Sequence, residues 1–385
     1  MGATSKQFCL PTHVITGLGC VSQLADVVAR YGQCALLVCG RRALRSSGAL
    51  ERALRDLQLR RILTILHDCV QGEPTLAAVQ AAVNLARQES VQIVIGIGGG
   101  SAMDVAKAVA ALSTQSGGVR EYHGGRALEN AGLPCVTVPT TAGTGSEVTS
   151  NAVLTDPERG IKESLRGSQL FARVAIVDPE LTLSLPPALT ASSGADALCQ
   201  AIEPFVGVGA QPITDALAAQ AIQRIGRSLV RAYQTGSDLA ARSDMLYGSL
   251  LAGMALSNAR LGGAHGPAHA LGYLYHIPHG VISGLLLPHV MEYSLEWAPE
   301  KYAQVARLLG VETDGLPSIT AAKRGIETVQ SILQHIGIPE HLADLGVRRE
   351  DLPTLIDKSL SSSNLKNNPR PLGAEDLHTI LERAL

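Results

Sequence analysis

The sequence predicts two domains of different architecture, an α/β domain over residues 1–185 and an all-helical domain over residues 186–385. Three observations carry this prediction. The first half alternates short β-branched segments with helical segments, which is typical of a parallel sheet with crossover helices. After about residue 186, long segments rich in Ala and Leu take over with helical periodicity. Between the two halves, Pro186 and Pro187 mark a hinge, because proline interrupts both strands and helices.

The elements of the first half follow from this alternation. Strands are predicted at residues 35–39, 62–67, 91–97, 134–139 and 174–177, and helices at 21–31, 75–88 and 102–112. In the second half, helices are predicted at residues 194–206, 212–235, 238–256 and 318–336. Neither an internal repeat nor a low-complexity tail interrupts this order, so the two-domain prediction accounts for the whole sequence.

Composition excludes several classes of protein. With 46% hydrophobic and 17% charged residues, the 385-residue chain has ample material for a core and is not predicted to be disordered. A net charge of −2 and 3% aromatic residues argue against a nucleic-acid partner. We see no secretory signal and no apolar stretch of about 18 residues, so no membrane span is expected. Seven scattered cysteines suit a reducing cytosol, and a cytoplasmic globular protein is predicted.

A glycine-rich turn is the first candidate binding element. The strand at 91–97 leads directly into Gly98, Gly99, Gly100 and Ser101, and a helix is predicted to follow. Glycines allow the backbone to approach a ligand closely, and a helix start offers free N–H groups and partial positive charge to a pyrophosphate. The turn matches neither GxGxxG nor a P-loop, so a plain tight turn is the alternative.

A second polar segment runs from 139 to 149 (PTTAGTGSEVT) and is dense in hydroxyls and backbone amides. Such groups can form hydrogen bonds with the ribose and amide of a nucleotide, although a solvated loop of turn-forming residues would look the same.

Carboxylate and imidazole side chains in the second half predict a metal site. Asp196 and Gln200 are four residues apart in a helical segment and therefore share a face. His265 and His269 repeat that spacing, and His279 follows ten residues later. Oxygen and nitrogen donors of this kind suit divalent iron or zinc.

These residues lie in stretches that resemble the iron-containing (group III) alcohol dehydrogenase family. The resemblance spans nearly the whole chain and is most specific at GGGSAMDVAK (98–107), PTTAGTGSEVT (139–149), GADALCQAIE (194–203) and HGPAHALGYLYHIPHG (265–280). It implies an N-terminal Rossmann-like dinucleotide-binding domain, a C-terminal helical domain, and a cleft between them.

The resemblance also implies roles for individual residues. Gly98, Gly99, Gly100 and Ser101 would hold the pyrophosphate, and Asp104 would brace the following turn. The remaining nucleotide residues would be Thr140, Thr141, Thr144 and Thr149, with Lys162 near the ribose and nicotinamide. The metal ligands would be Asp196, Gln200, His265 and His279. His269 would either support these ligands or be the catalytic histidine, with His276 as the alternative for the catalytic role. The implied reaction is hydride transfer between nicotinamide and a small alcohol or aldehyde, and a homodimer is the implied assembly.

Gln200 departs from the family pattern, which has a histidine at this position. An amide oxygen is a weaker donor than an imidazole nitrogen, so we expect a weakly held divalent metal, Fe²⁺ or Zn²⁺, or a site with three protein ligands completed by water. The alternatives are a metal-independent reductase of an oxo-acid such as maleylacetate, or a non-catalytic nucleotide-binding protein.

Gly40 is the second departure. Relatives that prefer NAD carry an acidic residue here, which binds the ribose 2′-hydroxyl, whereas this chain has Gly40 followed by Arg41 and Arg42. Glycine removes the repulsion of a 2′-phosphate and arginine can pair with it. We therefore predict NADP(H) as the preferred cofactor, with NAD(H) as the alternative.

Overall fold

The computed structural model describes residues 5–41, 43–70 and 72–385, and its strands all lie in the first half of the chain. The strands are β1 (His13–Thr16), β2 (Cys34–Gly40), β3 (Leu63–Val70), β4 (Ile93–Gly98), β5 (Cys135–Pro139), β6 (Asn151–Asp156), β7 (Ile161–Arg166) and β8 (Val174–Val177). Six of them form one parallel sheet in the order β1-β8-β5-β4-β2-β3. The other two, β6 and β7, form an antiparallel hairpin.

Helices separate the strands of the sheet, as the alternation in the sequence predicted. They are α1 (Leu24–Ala29), α2 (Ala43–Ser46), α3 (Ala49–Leu59), α4 (Leu76–Gln88), α5 (Gly100–Leu112) and α6 (Val119–His123). Apolar side chains from successive strand positions point to opposite faces of the sheet. One buried cluster joins one face to α4 and α5, and a second joins the other face to α1 and α3. The sheet is therefore covered on both sides, which explains its nearly continuous apolar strands.

The order of the strands reverses between β2 and β4. From β2 the chain passes through α3 to β3 on one side, whereas β4 lies on the other side of β2 and leads through α5 to β5. Cys39 of β2 lies opposite Ile97 of β4, so the segments that follow these strands begin side by side. Open α/β sheets bind ligands outside the carboxyl ends of their strands at such a reversal.

The second half of the chain is helical. Its helices are α7 (Pro187–Val206), α8 (Pro212–Gln234), α9 (Leu239–Ala259), α10 (His265–Tyr275), α11 (His279–Ser294), α12 (Pro299–Leu308), α13 (Ser318–His335), α14 (Leu352–Ser359) and α15 (Ala374–Ala384). The predicted fold class, a parallel α/β region followed by a helical region, is confirmed. Among the described residues, every helix is too short or too polar to cross a lipid bilayer.

Helix α7 begins earlier than the sequence predicted. We expected the helix to start at Gly194, but it starts at Pro187. Gly194 lies inside it at a tight contact: a Cβ atom there would come within 2.1 Å of Leu229 Cδ1 on α8. The glycine is retained for close packing of the two helices rather than for a helix end.

Two compact units can be distinguished in the chain. One comprises residues 10–141 and 146–185, and contains the sheet. The other comprises the helices from Pro186 to Leu385, the short segment Ala142–Gly145 and the described residues 5–9. The domains 1–185 and 186–385 stay a prediction from the sequence, since two short segments of the first half group with the helices.

Candidate active site

The turn between β4 and α5 is shaped by its glycines. Gly98 has a φ of +153°, which a residue with a side chain rarely adopts, and a Cβ atom there would lie 2.8 Å from Ala102 Cβ. Gly99 has an extended conformation directly before the first helical residue, Gly100, and Ser101 follows in the first turn. The backbone is therefore exposed to a ligand where the N–H groups of a helix start are available, which fits a pyrophosphate.

Thr140 and Thr141 lie beside this turn, because they follow β5, the neighbour of β4. The backbone N–H of Thr140 donates a hydrogen bond of 2.9 Å to the carbonyl oxygen of Gly98. A Cβ atom on Gly99 would lie 3.3 Å from the Thr141 side chain. The structure thus brings the glycine turn and the first two threonines of the 139–149 segment together.

Of the three residues predicted to select NADP(H), the structure describes Gly40 and Arg41. Gly40 ends β2 beside β4, so it lies at the same edge of the sheet as Gly98. Arg41 is exposed directly after it, whereas Arg42 lies outside the described residues. The arrangement fits a nucleotide bound across the ends of β2 and β4.

Thr149 forms an internal hydrogen bond. Its hydroxyl accepts a hydrogen bond of 3.1 Å from Nζ of Lys107, a fully buried lysine on α5 that also donates to the carbonyl oxygen of Ser146. One turn earlier, Asp104 accepts from the Ser146 hydroxyl at 2.5 Å and from the Val153 N–H at 2.9 Å. These contacts hold the chain from 146 to 153 against α5, an arrangement that the sequence did not reveal.

Thr144 and Lys162 are the two remaining nucleotide candidates. Thr144 is exposed in the segment Ala142–Gly145, which groups with the helices, and a Cβ atom on the next residue, Gly145, would meet Gly253 at 2.5 Å. Lys162 lies on β7, where its ammonium group pairs with the carboxylate of Glu73. The roles of Thr144 and Lys162 in nucleotide binding stay predictions.

The metal-site candidates come from three helices and meet at one carboxylate. Asp196 lies in the middle of α7, whereas His265 and His279 are the first residues of α10 and α11. Oδ1 of Asp196 lies 3.3 Å from Nε2 of His265 and 3.8 Å from Nε2 of His279. One ligand atom from each of the three residues lies within 4.8 Å of the others, so they can share one metal ion.

Gly280 allows its neighbour His279 to approach Asp196. A Cβ atom on Gly280 would lie 2.0 Å from the carbonyl oxygen of Ser192 on α7, so no other residue fits there without moving a backbone. The beginning of α11 is therefore pressed against α7 one turn before Asp196. The His-Gly pair at 279 and 280 is explained by this contact.

Gln200 also lies at the cluster, one turn after Asp196. Its amide Nε2 donates a hydrogen bond of 2.5 Å to Oδ2 of Asp196, and its Oε1 is buried without a hydrogen-bond partner. The hydroxyl of Ser283 donates to the other oxygen of Asp196, Oδ1, at 3.0 Å. An orphaned buried acceptor beside a carboxylate and two imidazoles indicates that the cluster normally holds a further molecule or ion.

Glu203 was missed by the sequence analysis. Its Oε2 lies 2.6 Å from Nδ1 of His265, and its Oε1 accepts a hydrogen bond of 2.7 Å from the N–H of Ala264. The signal was available, because 196, 200 and 203 all fall on one face of a helix. A carboxylate on Nδ1 fixes the tautomer and the orientation of an imidazole whose Nε2 binds a metal.

The buried carboxylates make this cluster attractive to positive charge. Burial raises the pKa of Asp196, but the hydrogen bond from His265 and the charge of His279 outweigh it, so the net pKa is lowered. Burial lowers the pKa of His265, but its contacts with Cys199, Glu203 and Asp196 leave that pKa well above its ordinary value. Both directions mean that the site favours a cation, whether a proton or a divalent metal ion.

His269 is close to the cluster. It lies one turn after His265 on α10, and its ring stacks on that of His279 with a centroid distance of 5.3 Å and an interplanar angle of 27°. His269 does not belong to the group formed by Asp196, His265 and His279, so it is not needed as a metal ligand. This position is compatible with the predicted catalytic role.

The chemistry of the two regions fits the cofactors that the sequence implied. One carboxylate oxygen and two imidazole nitrogens are a donor set for Fe²⁺ or Zn²⁺. A glycine turn at a helix start fits the pyrophosphate of a dinucleotide. Together these elements suit hydride transfer to or from a carbon atom that carries an oxygen.

Comparisons with known proteins agree with this chemistry. Residues 11–179 match the family described as iron-containing alcohol dehydrogenase, and residues 190–385 match the C-terminal part of the Fe-containing alcohol dehydrogenase family. The chain is 41% identical to 1,3-propanediol dehydrogenase of Klebsiella pneumoniae over 92% of each chain. It is 36% identical to lactaldehyde reductase of Escherichia coli over 94% of each chain.

A solved structure of 1,3-propanediol oxidoreductase superimposes with a TM-score of 0.95 at 38% identity, covering 99% of this chain and 100% of the other. The resemblance seen in the sequence is thereby confirmed. Members of such a family act with NAD(H) and a divalent metal, typically iron. The chain belongs to the iron-containing alcohol dehydrogenase family and is a nicotinamide-dependent oxidoreductase that acts on CH–OH groups of alcohols and on the corresponding aldehydes.

Proposed function

We propose that this enzyme interconverts a small alcohol and its aldehyde with NADP(H) in preference to NAD(H), with a divalent metal held by Asp196, His265 and His279. The proposal rests on one observation: Nε2 of His265 and Nε2 of His279 both face Oδ1 of Asp196. The chain is similar to a 1,3-propanediol dehydrogenase, a lactaldehyde reductase and, at 34% identity, an NAD-dependent methanol dehydrogenase of Bacillus methanolicus. Alcohols and aldehydes of one to three carbons are therefore the proposed substrates.

Each residue has a separate task in the proposed reaction. The bound metal supplies Lewis-acid chemistry to the oxygen of the substrate. Glu203 holds His265 in orientation, while the backbone of Gly98–Ser101 and the threonines 140 and 141 bind the dinucleotide. His269, stacked on His279, would exchange the hydroxyl proton of the substrate with solvent.

The cofactor preference rests on the end of β2. Gly40 carries no carboxylate that would repel a 2′-phosphate, and Arg41 is exposed beside it. A guanidinium forms strong bidentate contacts with phosphate, which favours NADP(H) over NAD(H). The scattered cysteines and the resemblance support two further proposals, a cytoplasmic location and a homodimer.

The test is an absorbance assay with chelated and metal-reconstituted enzyme. With C1–C3 aldehydes, we expect NADPH oxidation that chelation abolishes and Fe²⁺ or Zn²⁺ restores, and a higher kcat/KM with NADPH than with NADH. Activity that survives chelation with oxo-acids as substrates would instead support a metal-independent oxo-acid reductase. No turnover of any substrate with metal supplied would support a non-catalytic nucleotide-binding protein. A higher kcat/KM with NADH would reject the cofactor proposal alone.

A further inference from the structure

The two oxygens of Asp196 have different partners. Oδ1 faces Nε2 of His265 at 3.3 Å, Nε2 of His279 at 3.8 Å and the hydroxyl of Ser283 at 3.0 Å. Oδ2 accepts the hydrogen bond of 2.5 Å from the amide of Gln200. The imidazoles and the amide therefore approach opposite oxygens of the same carboxylate.

The orientation of the Gln200 amide follows from its neighbour. An amide has a donor end and an acceptor end, and only the donor end can face a carboxylate oxygen without repulsion. Nε2 therefore faces Asp196, and Oε1 is left on the other side of the amide, buried and without a partner. Gln200 is 4% exposed, so bulk water does not supply the missing partner.

A hydrogen bond to Oδ2 restricts how Asp196 can bind a cation. It occupies the oxygen that a bidentate carboxylate would use and directs the other one, Oδ1, toward the two imidazole nitrogens. Within the part of the chain that the structure describes, loss of this hydrogen bond would leave the hydroxyl of Ser283, at Oδ1, as the one neutral donor to Asp196. The amide thus prepares Asp196 as a ligand with a single donor atom.

We propose that Gln200 is a positioning residue and not a metal ligand, so that the metal has three protein ligands, Asp196, His265 and His279. This inference rests on the proposed function, since it assumes that the three residues bind a metal. The buried Oε1 of Gln200 accepts a hydrogen bond from a hydroxyl that enters the site, from water or from the substrate alcohol. Compared with a site of four protein ligands, this site keeps one more coordination position open and exchanges its metal more readily.

The test uses Co²⁺ as the probe, because its visible absorption bands report the donor atoms around it and chelator competition gives its affinity. Gln200→Leu keeps the size of the side chain but can neither donate a hydrogen bond nor bind a metal. We expect Gln200→Leu to leave the positions of the Co²⁺ bands unchanged and to lower the affinity about 10- to 100-fold, as loss of a residue that orients a ligand does. A shift of the bands in this variant would show that Gln200 is itself a ligand and would overturn the inference.

Gln200→His is the complementary variant. An imidazole at this position adds a fourth protein ligand, so the Co²⁺ bands should shift and the affinity should rise by roughly 10-fold or more. An affinity that changes in neither Gln200→His nor Gln200→Leu would overturn the inference, because Gln200 would then not position Asp196 for the metal. At saturating Co²⁺, Gln200→Leu should raise the KM for the alcohol about 10-fold, and an unchanged KM would reject the role of Oε1.

His279→Ala separates this inference from the proposed function. It should weaken Co²⁺ binding and shift the bands, because a ligand is lost. Binding that His279→Ala does not alter would reject the metal site itself. If His279→Ala behaves as expected and Gln200→Leu also shifts the bands, only the inference about Gln200 fails. Melting temperatures and circular dichroism of all variants show that each remains folded in the comparison.

Discussion

The two candidate regions are built from different parts of the polypeptide. At the ends of β2, β4 and β5 the surface consists mainly of backbone, and glycines such as Gly98 and Gly99 keep it clear of side chains. At α7, α10 and α11 the cluster consists of charged and polar side chains such as Asp196 and His265. The first region should therefore be sensitive to added volume, and the second to changes of charge without any change of volume.

The largest effect is expected from Asp196→Asn, which keeps the shape of the side chain and removes its charge. We expect kcat/KM to fall roughly 10³-fold, because the carboxylate that attracts the metal is lost together with the charge that stabilises the reaction. Steady-state kinetics and metal analysis of the purified variant are the measurements. Asp215→Asn on α8, which breaks a half-exposed pair with Lys301, is the matched control and should change kcat/KM little. Full activity of Asp196→Asn would contradict the expectation that the cluster at α7, α10 and α11 depends on its charge.

Glu147→Gln tests whether the sheet-containing unit also depends on a side-chain charge. Burial raises the pKa of Glu147 from 4.5 to about 7, while the unfolded chain keeps the ordinary value. Between these pH values the folded chain binds a proton that the unfolded chain has released, so wild-type stability falls as the pH rises through this window. Glutamine cannot ionise, so the variant should gain about 3 kcal/mol relative to the wild type between pH 5 and pH 8.

Denaturant unfolding of both proteins across this pH range measures the difference. Above about pH 8 the difference should stay constant, because Glu147 is then ionised in both states, and this plateau is the internal control. A stability difference that does not change between pH 5 and pH 8 would mean that Glu147 titrates as an ordinary carboxyl.

Gly40→Asp adds a charge to the backbone-built surface and should change selectivity rather than rate. A carboxylate at the end of β2 would repel a 2′-phosphate and bind a 2′-hydroxyl, so the ratio of kcat/KM for NADPH to that for NADH should fall about 100-fold. Parallel assays with the two cofactors give this ratio. An unchanged ratio of the two kcat/KM values would show that the 2′ position of the ribose does not contact residue 40.

The smallest effect is expected from Gly99→Ala, which adds one methyl group to the glycine turn. Its backbone conformation is open to alanine, and the new Cβ atom would lie 3.3 Å from Thr141, so the fold should persist. The methyl group would crowd a bound pyrophosphate and raise the KM for the dinucleotide roughly 10-fold, with kcat changed less. Gly118→Ala, at the start of α6, is the matched control, because this glycine also precedes a helix in an extended conformation.

The sequence was most informative where local patterns determine structure. The apolar segment at 91–97 followed by Gly98 predicted both a strand and the turn, because periodicity and glycine act over a few residues. The hairpin of β6 and β7 was missed, since Asn151–Asp156 and Ile161–Arg166 carry mixed polar residues without clear alternation. Strand β1 was missed because its four residues, HVIT, have polar residues at both ends, whereas the equally short β8, VAIV, is wholly apolar and was predicted.

The metal cluster shows the limit of local reasoning. The shared face of Asp196 and Gln200 could be read from helical spacing, and Glu203 continues it. The meeting of α7 with His265 and His279 depends on tertiary packing, including the contact at Gly280, and only the family resemblance indicated it in advance. The pairing of Lys162 with Glu73 likewise joins residues far apart in the sequence, so spacing alone could not reveal it.

Strand β1 has a consequence for the synthesis of the protein. It lies at one edge of the sheet, and among the residues that the structure describes it pairs only with β8, with His13 opposite Val174. A chain that emerges from the ribosome at roughly 5–20 residues per second must therefore wait on the order of ten seconds or more before this pair can form. Among the strands described, β1 is therefore translated before all the others but can join the sheet only after β8, the last of them, has emerged.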